Sequence, residues 1–401
     1  MNSKILCSVL LGFSFRFSFC FFFLSSFLLS PSTFAATNTL RTPDIGVDTL
    51  LLYRNSNWGK ADEVGDDLGR NGLNVQEAEI GFRSDVDPYS RLTMVLTVSP
   101  TLSTGTTGLV KEEWKVMPEE LFAESSYFSA TTIKVGKFKA AFGKHNLLHT
   151  HAFPLVDAPL ANTLLLGEEG LNDVGLSAAF LLPVSWFSEL TLQYLRGAGG
   201  DDKDPANPEF HSPSPAAGVG LAHFKNLIDL SDEATFEAGL SWAQGPNSLR
   251  TTTSLVGADL TFKWRPAVLG LYRSFILGVE WMQRTRGQPD SADEVGSGAN
   301  IWLQFQFAER WSALTRTEYF KADGASGDPL VNPAPLANDL FTRQAVALQF
   351  RMSEFSFLKI EYDHRHGLAE DVRLTKGLSA DENKIMLQAD FLIGFHPPHS
   401  Y

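Results

Sequence analysis

Residues 256–265, VGADLTFKWR, alternate strictly between apolar and polar side chains. One parity is apolar throughout, whereas the other carries Asp259, Thr261, Lys263 and Arg265. A repeat of two residues is the period of a β-strand, because successive side chains of a strand point to opposite faces. The stretch therefore predicts a strand with one apolar face and one charged face.

The same alternation recurs along the chain, for example in residues 234–243, 298–308 and 382–394, and sixteen such segments can be placed. Long connections rich in Gly, Pro and Asp, such as 100–117 and 142–170, follow the odd segments. Mostly short turns follow the even ones. This sorting of connections is typical of transmembrane barrels, because in lipid every backbone polar group needs a partner within the protein.

The predicted fold is therefore all-β: a single transmembrane antiparallel β-barrel of about 16 strands, with long extracellular loops and short periplasmic turns. A soluble β-sandwich or solenoid is the alternative architecture, since its strands would also carry one apolar parity.

The first 35 residues differ from the rest, because they are rich in Phe and Leu, contain the basic residues Lys4 and Arg16, and lack acidic residues. They are predicted to be a signal peptide cleaved after Ala35, which leaves residues 36–401 as the barrel and sends it to the cell outer membrane of a Gram-negative bacterium. A retained membrane anchor is the alternative. Both cysteines, Cys7 and Cys20, lie in this segment, so the mature chain is expected to lack thiols.

The whole chain has 33 basic and 46 acidic residues, a net charge of −13, which argues against nucleic acid as a partner. The sequence contains no GxSxG, Walker, dinucleotide-binding or HExxH motif. We therefore predict that the protein is not an enzyme and has no catalytic residues.

Charged side chains on the polar parity are expected to line the lumen if the apolar parity faces lipid. Sixteen strands leave an aqueous pore unless loops fill it, and the acidic excess favours cations. A purely structural role, with charges pairing across strands, is the alternative. The predicted pore-lining residues are Glu77, Glu79, Arg83, Lys134, Glu237, Asp259, Lys263, Glu280, Arg316, Glu318, Arg343, Arg351, Lys359, Glu361 and Asp363.

The longest predicted loop, residues 142–170, combines a His-rich start with the apolar run 164–166, and it is expected to fold inward and narrow the pore. Imidazole from His149 and His151 and carboxylate from Asp157 would suit a zinc ion. The alternative is a hydrogen-bonded histidine cluster without metal. No other cofactor is expected.

The stretches VGKFKAAFGKHNLLHTHAFPLVDAPL (135–160), GEEGLNDVGLS (167–177) and GADLTFKWRP (257–266) resemble a group of porin-like outer-membrane barrels. The resemblance covers most of the mature chain and implies a barrel similar to the phosphate-selective porins. Some relatives are described as zinc-regulated or TonB-dependent outer-membrane receptors. The chain departs from those receptors because residues 36–44 are too short for a plug domain, and it departs from phosphate-selective porins because it lacks an obvious lysine-rich constriction.

The expected function is an outer-membrane channel for diffusion of small hydrophilic solutes or ions, with loop 142–170 as its constriction. Two alternatives are a metal (zinc) uptake receptor that uses the His-rich loop and a plugged, purely structural barrel. The expected partners are outer-membrane lipid, small solutes or ions, and other copies of the chain in a homo-trimer.

Overall fold

A computed structural model describes residues 43–58, 71–104, 110–167, 169–197, 210–214, 216–289, 292–323, 340–367, 379 and 381–394. The predicted signal peptide, residues 1–35, lies outside the described residues. No helix among those residues is long and apolar enough to cross a bilayer.

Sixteen antiparallel strands form one closed barrel, in which each strand pairs with its neighbours in sequence and β1 pairs with β16. This confirms the predicted fold class. The strands are β1 Asp44–Ser56, β2 Gly72–Asp85, β3 Ser90–Thr104, β4 Val110–Ser125, β5 Thr131–Lys139, β6 Asn172–Leu181, β7 Phe187–Leu195, β8 Val219–Ser231, β9 Ala234–Pro246, β10 Thr252–Trp264, β11 Ser274–Arg286, β12 Glu294–Ala308, β13 Trp311–Asp323, β14 Leu340–Ser353, β15 Ser356–His366 and β16 Asp381–Gly394.

The two parities of the strands face opposite sides of the barrel. Apolar side chains such as Leu240 and Ile301 point outward and are 61% and 52% exposed. Charged side chains such as Asp259 and Lys359 point inward and are buried. A closed sheet satisfies its own backbone hydrogen bonds, so it can present apolar side chains to lipid around its whole circumference.

The connections differ at the two ends of the barrel. The end with the connections 86–89, 126–130, 182–186, 232–233, 265–273, 309–310 and 354–355 is called the turn rim, and the opposite end the loop rim. The prediction of a long loop at residues 100–117 is wrong, because β3 continues to Thr104 and β4 begins at Val110. Its polar composition suggested a loop, but polar residues are also allowed where strands extend beyond the bilayer.

The segment between β5 and β6, residues 140–171, is called the lumenal loop. It contains two 3-10 turns, His145–Leu147 and Thr150–Ala152, and one short helix, α1, Leu160–Leu166. The ends of the loop lie together, because Ala140 N donates to Leu171 O over 2.8 Å.

Several inward side chains near the loop rim are apolar, beside charged ones such as Arg286 and Glu294, which departs from the uniformly polar lumen that the sequence predicted. They pack against Phe138, Phe142 and Leu165 at the edges and inside of the lumenal loop. These inward positions tolerate apolar residues because the loop, rather than water, covers them. They are Leu195, Val219, Leu221, Ala243, Leu255, Met282 and Phe320.

Replacing Leu240 by arginine is expected to destabilise the barrel by about 2–4 kcal/mol, because Leu240 lies at the middle of β9 on the outer face. Urea-induced unfolding of protein inserted in lipid vesicles measures the effect. Leu240→Ala, which removes apolar area without adding charge, is the matched control and should cost less. Equal stability of the arginine variant and the wild type would contradict a lipid-facing position.

Candidate functional site

The lumenal loop crosses the interior of the barrel and is held by hydrogen bonds on every side. Ala141 N donates to Gln193 Oε1, and Gly143 N donates to Ser241 Oγ over 2.8 Å. Lys144 Nζ pairs with Glu237 at 2.7 Å. Taken together, the loop bonds or pairs with inward side chains of strands β2, β4, β7, β9, β11, β13, β14, β15 and β16.

The loop enters the lumen at Gly143, which has a left-handed φ of +64°. A Cβ at this position would lie 1.8 Å from Glu280 Oε1, a distance that no side chain can occupy. The backbone conformation therefore favours glycine here, and a larger residue would in addition have to displace the Glu280 carboxylate.

One half of the site is the Asp157 clamp, defined as Asp157 with Arg316, Arg343 and Lys384. Asp157 Oδ1 lies 2.5 Å from Arg316 Nη2, and Oδ2 lies 2.7 Å from Arg343 Nη1 and 3.4 Å from Lys384 Nζ. The two guanidinium groups also donate to the carbonyl oxygens of Asp157 and Ala158. Three basic side chains of the wall thus bind one carboxylate of the loop, and two of them also bind the adjacent backbone.

Acidic and basic wall residues beside the clamp bind the loop backbone. Val156 N donates to Glu361 Oε2 over 2.9 Å, and Leu160 N donates to Glu318 Oε2 over 2.6 Å. Lys359 Nζ donates to Phe153 O over 3.2 Å. Backbone groups that a loop would normally expose to water are therefore satisfied by the wall.

The other half of the site is the His149 cluster, defined as His149, His151, Glu79, Glu119 and Glu120. His149 Nδ1 lies 3.1 Å from Glu119 Oε2 and 3.2 Å from Glu79 Oε2, and its Nε2 lies 3.2 Å from Glu120 Oε2. His151 Nδ1 lies 3.0 Å from Glu79 Oε1. The imidazoles of the two histidines stack with their centroids 5.7 Å apart.

Two β-bulges bring additional side chains toward the loop. In β4 the pairing with β3 passes from Glu120 to Pro118, which leaves Glu119 as the extra residue. In β2 the pairing with β1 passes from Glu77 to Val75, which leaves Gln76 as the extra residue there. A bulge resets the alternation, so Glu119 and Glu120, although adjacent in sequence, both contact the ring of His149.

The ionisable groups of the lumenal loop have strongly shifted pKa values. Burial, with Arg316 and Lys139 nearby, lowers the pKa of His145 well below its ordinary value. Burial acts in the same direction on His149, but the carboxylates of Glu119 and Glu79 outweigh it and raise the pKa of His149. Burial would raise the pKa of Asp157, but Arg343, Lys384 and Arg316 hold it below its ordinary value.

Most of the predicted pore-lining residues lie on the inner wall against or beside the loop. The group that bonds or pairs with the loop is Glu77, Glu79, Glu237, Glu280, Arg316, Glu318, Arg343, Lys359 and Glu361. Asp363 lies 3.7 Å from both Arg343 and Lys384, and Asp259 is buried beside Gly239.

The remaining predicted wall residues lie away from the loop contacts. Lys134 Nζ lies 4.1 Å above the ring of Phe122, and Lys263 is half-buried. Arg351 is exposed close to the turn rim. Arg83 lines a cavity of about 190 Å³ on the turn-rim side of the loop, together with residues of the His149 cluster.

The predicted ligand set His149, His151 and Asp157 is divided between the two halves of the site. Asp157 belongs to the clamp, where arginine and lysine occupy its carboxylate, whereas His149 and His151 lie among glutamates. The carboxylates that could join His149 around a metal are Glu79 and Glu119. Strict alternation, on which the sequence prediction relied, gave no reason to single out Glu119, because its orientation depends on the bulge.

Sequence analysis also missed Lys139 and Lys384, which lie at or near strand ends. Lys139 Nζ lies 2.7 Å from Glu119 Oε1, and Lys384 is one of the clamp cations. Lys384 lies on the inward parity of β16, which was an available signal, whereas Lys139 shares the parity of the outward-facing Ile133 and Val135, so alternation argued against it. Their partners, in contrast, could not be deduced, because the partners lie on other strands or on the loop.

A closed barrel of sixteen antiparallel strands, with an apolar exterior, a charged interior and a long loop inside the lumen, is the architecture of outer-membrane porins. OmpF of Salmonella typhi, in complex with daunomycin, matches with a TM-score of 0.54 at 10% identity and covers 88% of this chain and 98% of that chain. OmpT of Vibrio cholerae, in a trimer form, matches with a TM-score of 0.52 at 10% identity, over 88% and 99%.

The outer-membrane channel DcaP of Acinetobacter baumannii has a TM-score of 0.50 at 10% identity, over 88% of this chain and 96% of that chain. At these identities the similarity shows the fold alone. An uncharacterised protein of Aquifex aeolicus (strain VF5) is 25% identical over 362 residues, which is 83% of this chain and 71% of the relative. No protein-family profile matches the chain.

Proposed function

We propose that the protein is a porin-like channel of the outer membrane that lets small hydrophilic solutes or ions diffuse through its lumen, with the lumenal loop as the constriction. The observation that carries this proposal is the path of the loop, which is bonded to strands on opposite sides of a charged barrel wall. A loop held in this way narrows the bore and places charges on both sides of the path.

The constriction is tight at the level of the Asp157 clamp. Arg316, Lys359 and Asp363 point inward, yet their side chains are only 2%, 1% and 0% exposed. The side chains of a wide aqueous pore would be wetted. We therefore expect the intact barrel to conduct poorly for its strand number.

The unequal rims support an orientation in the outer membrane. In barrels of this class the short turns face the periplasm and the long loops face outward. The turn rim would then be periplasmic and the loop rim extracellular. A homo-trimer is part of this proposal, since a structural neighbour of the same fold is described in a trimer form.

Single-channel recording in planar bilayers under a KCl gradient is expected to show small, discrete conductance steps with a reversal potential that favours cations. The physical reasons are the narrowed lumen and the acidic excess of the chain, 46 acidic against 33 basic residues. Barrel refolded in detergent and inactivated by boiling serves as the control.

A silent wild type whose folding is verified by heat-modifiable migration would contradict the channel function and favour the plugged barrel. A conducting barrel with anion preference would leave the channel in place and overturn the proposed cation selectivity.

A further inference from the structure

We propose that Glu79, Glu119 and His149 form a binding site for a divalent transition-metal ion inside the lumen. The proposal goes beyond the channel function and does not depend on conduction. It depends only on where the lumenal loop places His149 against β2 and β4.

Three donor atoms converge at this position. His149 Nδ1 lies 3.1 Å from Glu119 Oε2 and 3.2 Å from Glu79 Oε2, and one donor atom of each residue lies within 4.8 Å of the others. Ligands at about 2.0–2.2 Å from a tetrahedral ion are separated by about 3.3 Å. The nitrogen therefore already lies from each of the two oxygens at the spacing of metal ligands.

The atoms on the far side of each proposed ligand are held by other residues. Lys139 Nζ lies 2.7 Å from Glu119 Oε1, and His151 Nδ1 lies 3.0 Å from Glu79 Oε1. Outer partners of this kind orient the ligands of metal sites and are a regular feature of such sites. Thr97 Oγ1 additionally donates to Glu119 Oε2 over 2.9 Å, which fixes that carboxylate further.

The position of Glu120 indicates which nitrogen of His149 would bind the metal ion. Its Oε2 lies 3.2 Å from His149 Nε2, so it accepts the proton of that nitrogen. The neutral imidazole has a single N–H, and the lone pair of Nδ1 then points toward two carboxylate oxygens. Without a metal, a second proton on Nδ1 would satisfy these two oxygens, and a divalent ion would replace that proton. A carboxylate–histidine–metal chain of this form is the usual way in which proteins orient a metal-binding imidazole.

The turn-rim cavity provides a route to the site. It has a volume of about 190 Å³, and its lining includes Asp48, Glu79, Glu120, His149 and His151. Acidic walls attract a divalent cation, and the cavity has room for water as an additional ligand. One imidazole nitrogen with carboxylate oxygens suits borderline ions such as Zn²⁺ and Co²⁺.

A second group of three carboxylates in the lumen is already neutralised by basic side chains. Asp157, Glu361 and Asp363 also bring oxygens within 4.8 Å of one another. That trio already faces Arg316, Arg343 and Lys384, which supply its positive charge. We therefore assign the metal to the His149 cluster and not to the Asp157 clamp.

Titration of the untagged, detergent-refolded barrel with Co²⁺, followed by visible absorbance, tests the site. The chain has no cysteine beyond Cys20, so thiolate binding does not contribute in the mature barrel. We expect one Co²⁺ per chain, displaced by Zn²⁺. His149→Gln and Glu79→Gln should abolish saturable binding, and Glu120→Gln should weaken it about 10- to 100-fold.

His223→Ala is the matched control, because His223 is a buried wall histidine that contacts Ser241 and lies outside the cluster. It should bind Co²⁺ like the wild type. Heat-modifiable migration in gels establishes that each variant is folded. Absence of saturable binding by the folded wild type, or equal binding by folded His149→Gln, would overturn the site and leave His149 as an ion-paired imidazolium. Conductance plays no part in this measurement, so its outcome is independent of the channel proposal.

Discussion

A barrel in which residues 141–170 are replaced by an Asn-Gly turn is expected to conduct ions several-fold better than the intact protein. The replacement is geometrically simple, because Ala140 N already donates to Leu171 O and Lys139 pairs with Asn172. Asn-Gly favours the tight turn that joins adjacent antiparallel strands. Without the loop, sixteen strands enclose an aqueous channel.

Thiol labelling supplies an independent readout of the same deletion. Lys359 is 1% exposed in the intact barrel, so the thiol of a Lys359→Cys variant should react slowly with a water-soluble reagent. The same substitution in the loop-deleted barrel should react rapidly, because water then reaches the wall. A folded, loop-deleted barrel with unchanged conductance and an unreactive thiol at this position would refute the constriction.

Substitution of Asp157 by asparagine is expected to destabilise the folded barrel by about 3 kcal/mol, which is the lower end of the cost of breaking a buried ion pair. The change leaves Arg316, Arg343 and Lys384 without their shared carboxylate. Glu318 and Asp363 still face Arg343, which limits the loss. The loosened loop should also produce noisier currents with longer open periods.

Urea unfolding in vesicles at neutral pH measures this effect. The pKa of Asp157 is depressed in the folded barrel, so its stabilising contribution is complete above its unfolded pKa of about 4 and is lost as the pH falls through the folded value. The matched control is Asp229→Asn, an exposed aspartate of β8, which should change stability by no more than about 0.5 kcal/mol. Similar stabilities for both variants would show that the clamp does not hold the loop.

In the lumen, the sequence predicted which side of a strand a side chain occupies but not which residue it contacts. The inward parity of Arg316, Glu318 and Arg343 followed from alternation, and the structure places all three on the inner wall. Asp157, the common partner of Arg316 and Arg343, is separated from both by more than 150 residues. Nothing in the local pattern distinguishes a carboxylate that meets arginine across a lumen from one that meets a histidine, so Asp157 was grouped with His149 and His151.

The sequence by itself determined the closed antiparallel barrel, the number of its strands and which parity of strands such as β9, β10, β12 and β16 faces outward. It could do so because lipid and a hydrogen-bonded sheet together impose a two-residue period on every strand. Only the tertiary structure determined which charged side chains form ion pairs with one another. The path of the lumenal loop, and the bulges that turn Gln76 and Glu119 inward, depend on packing across the whole barrel rather than on the order of neighbouring residues.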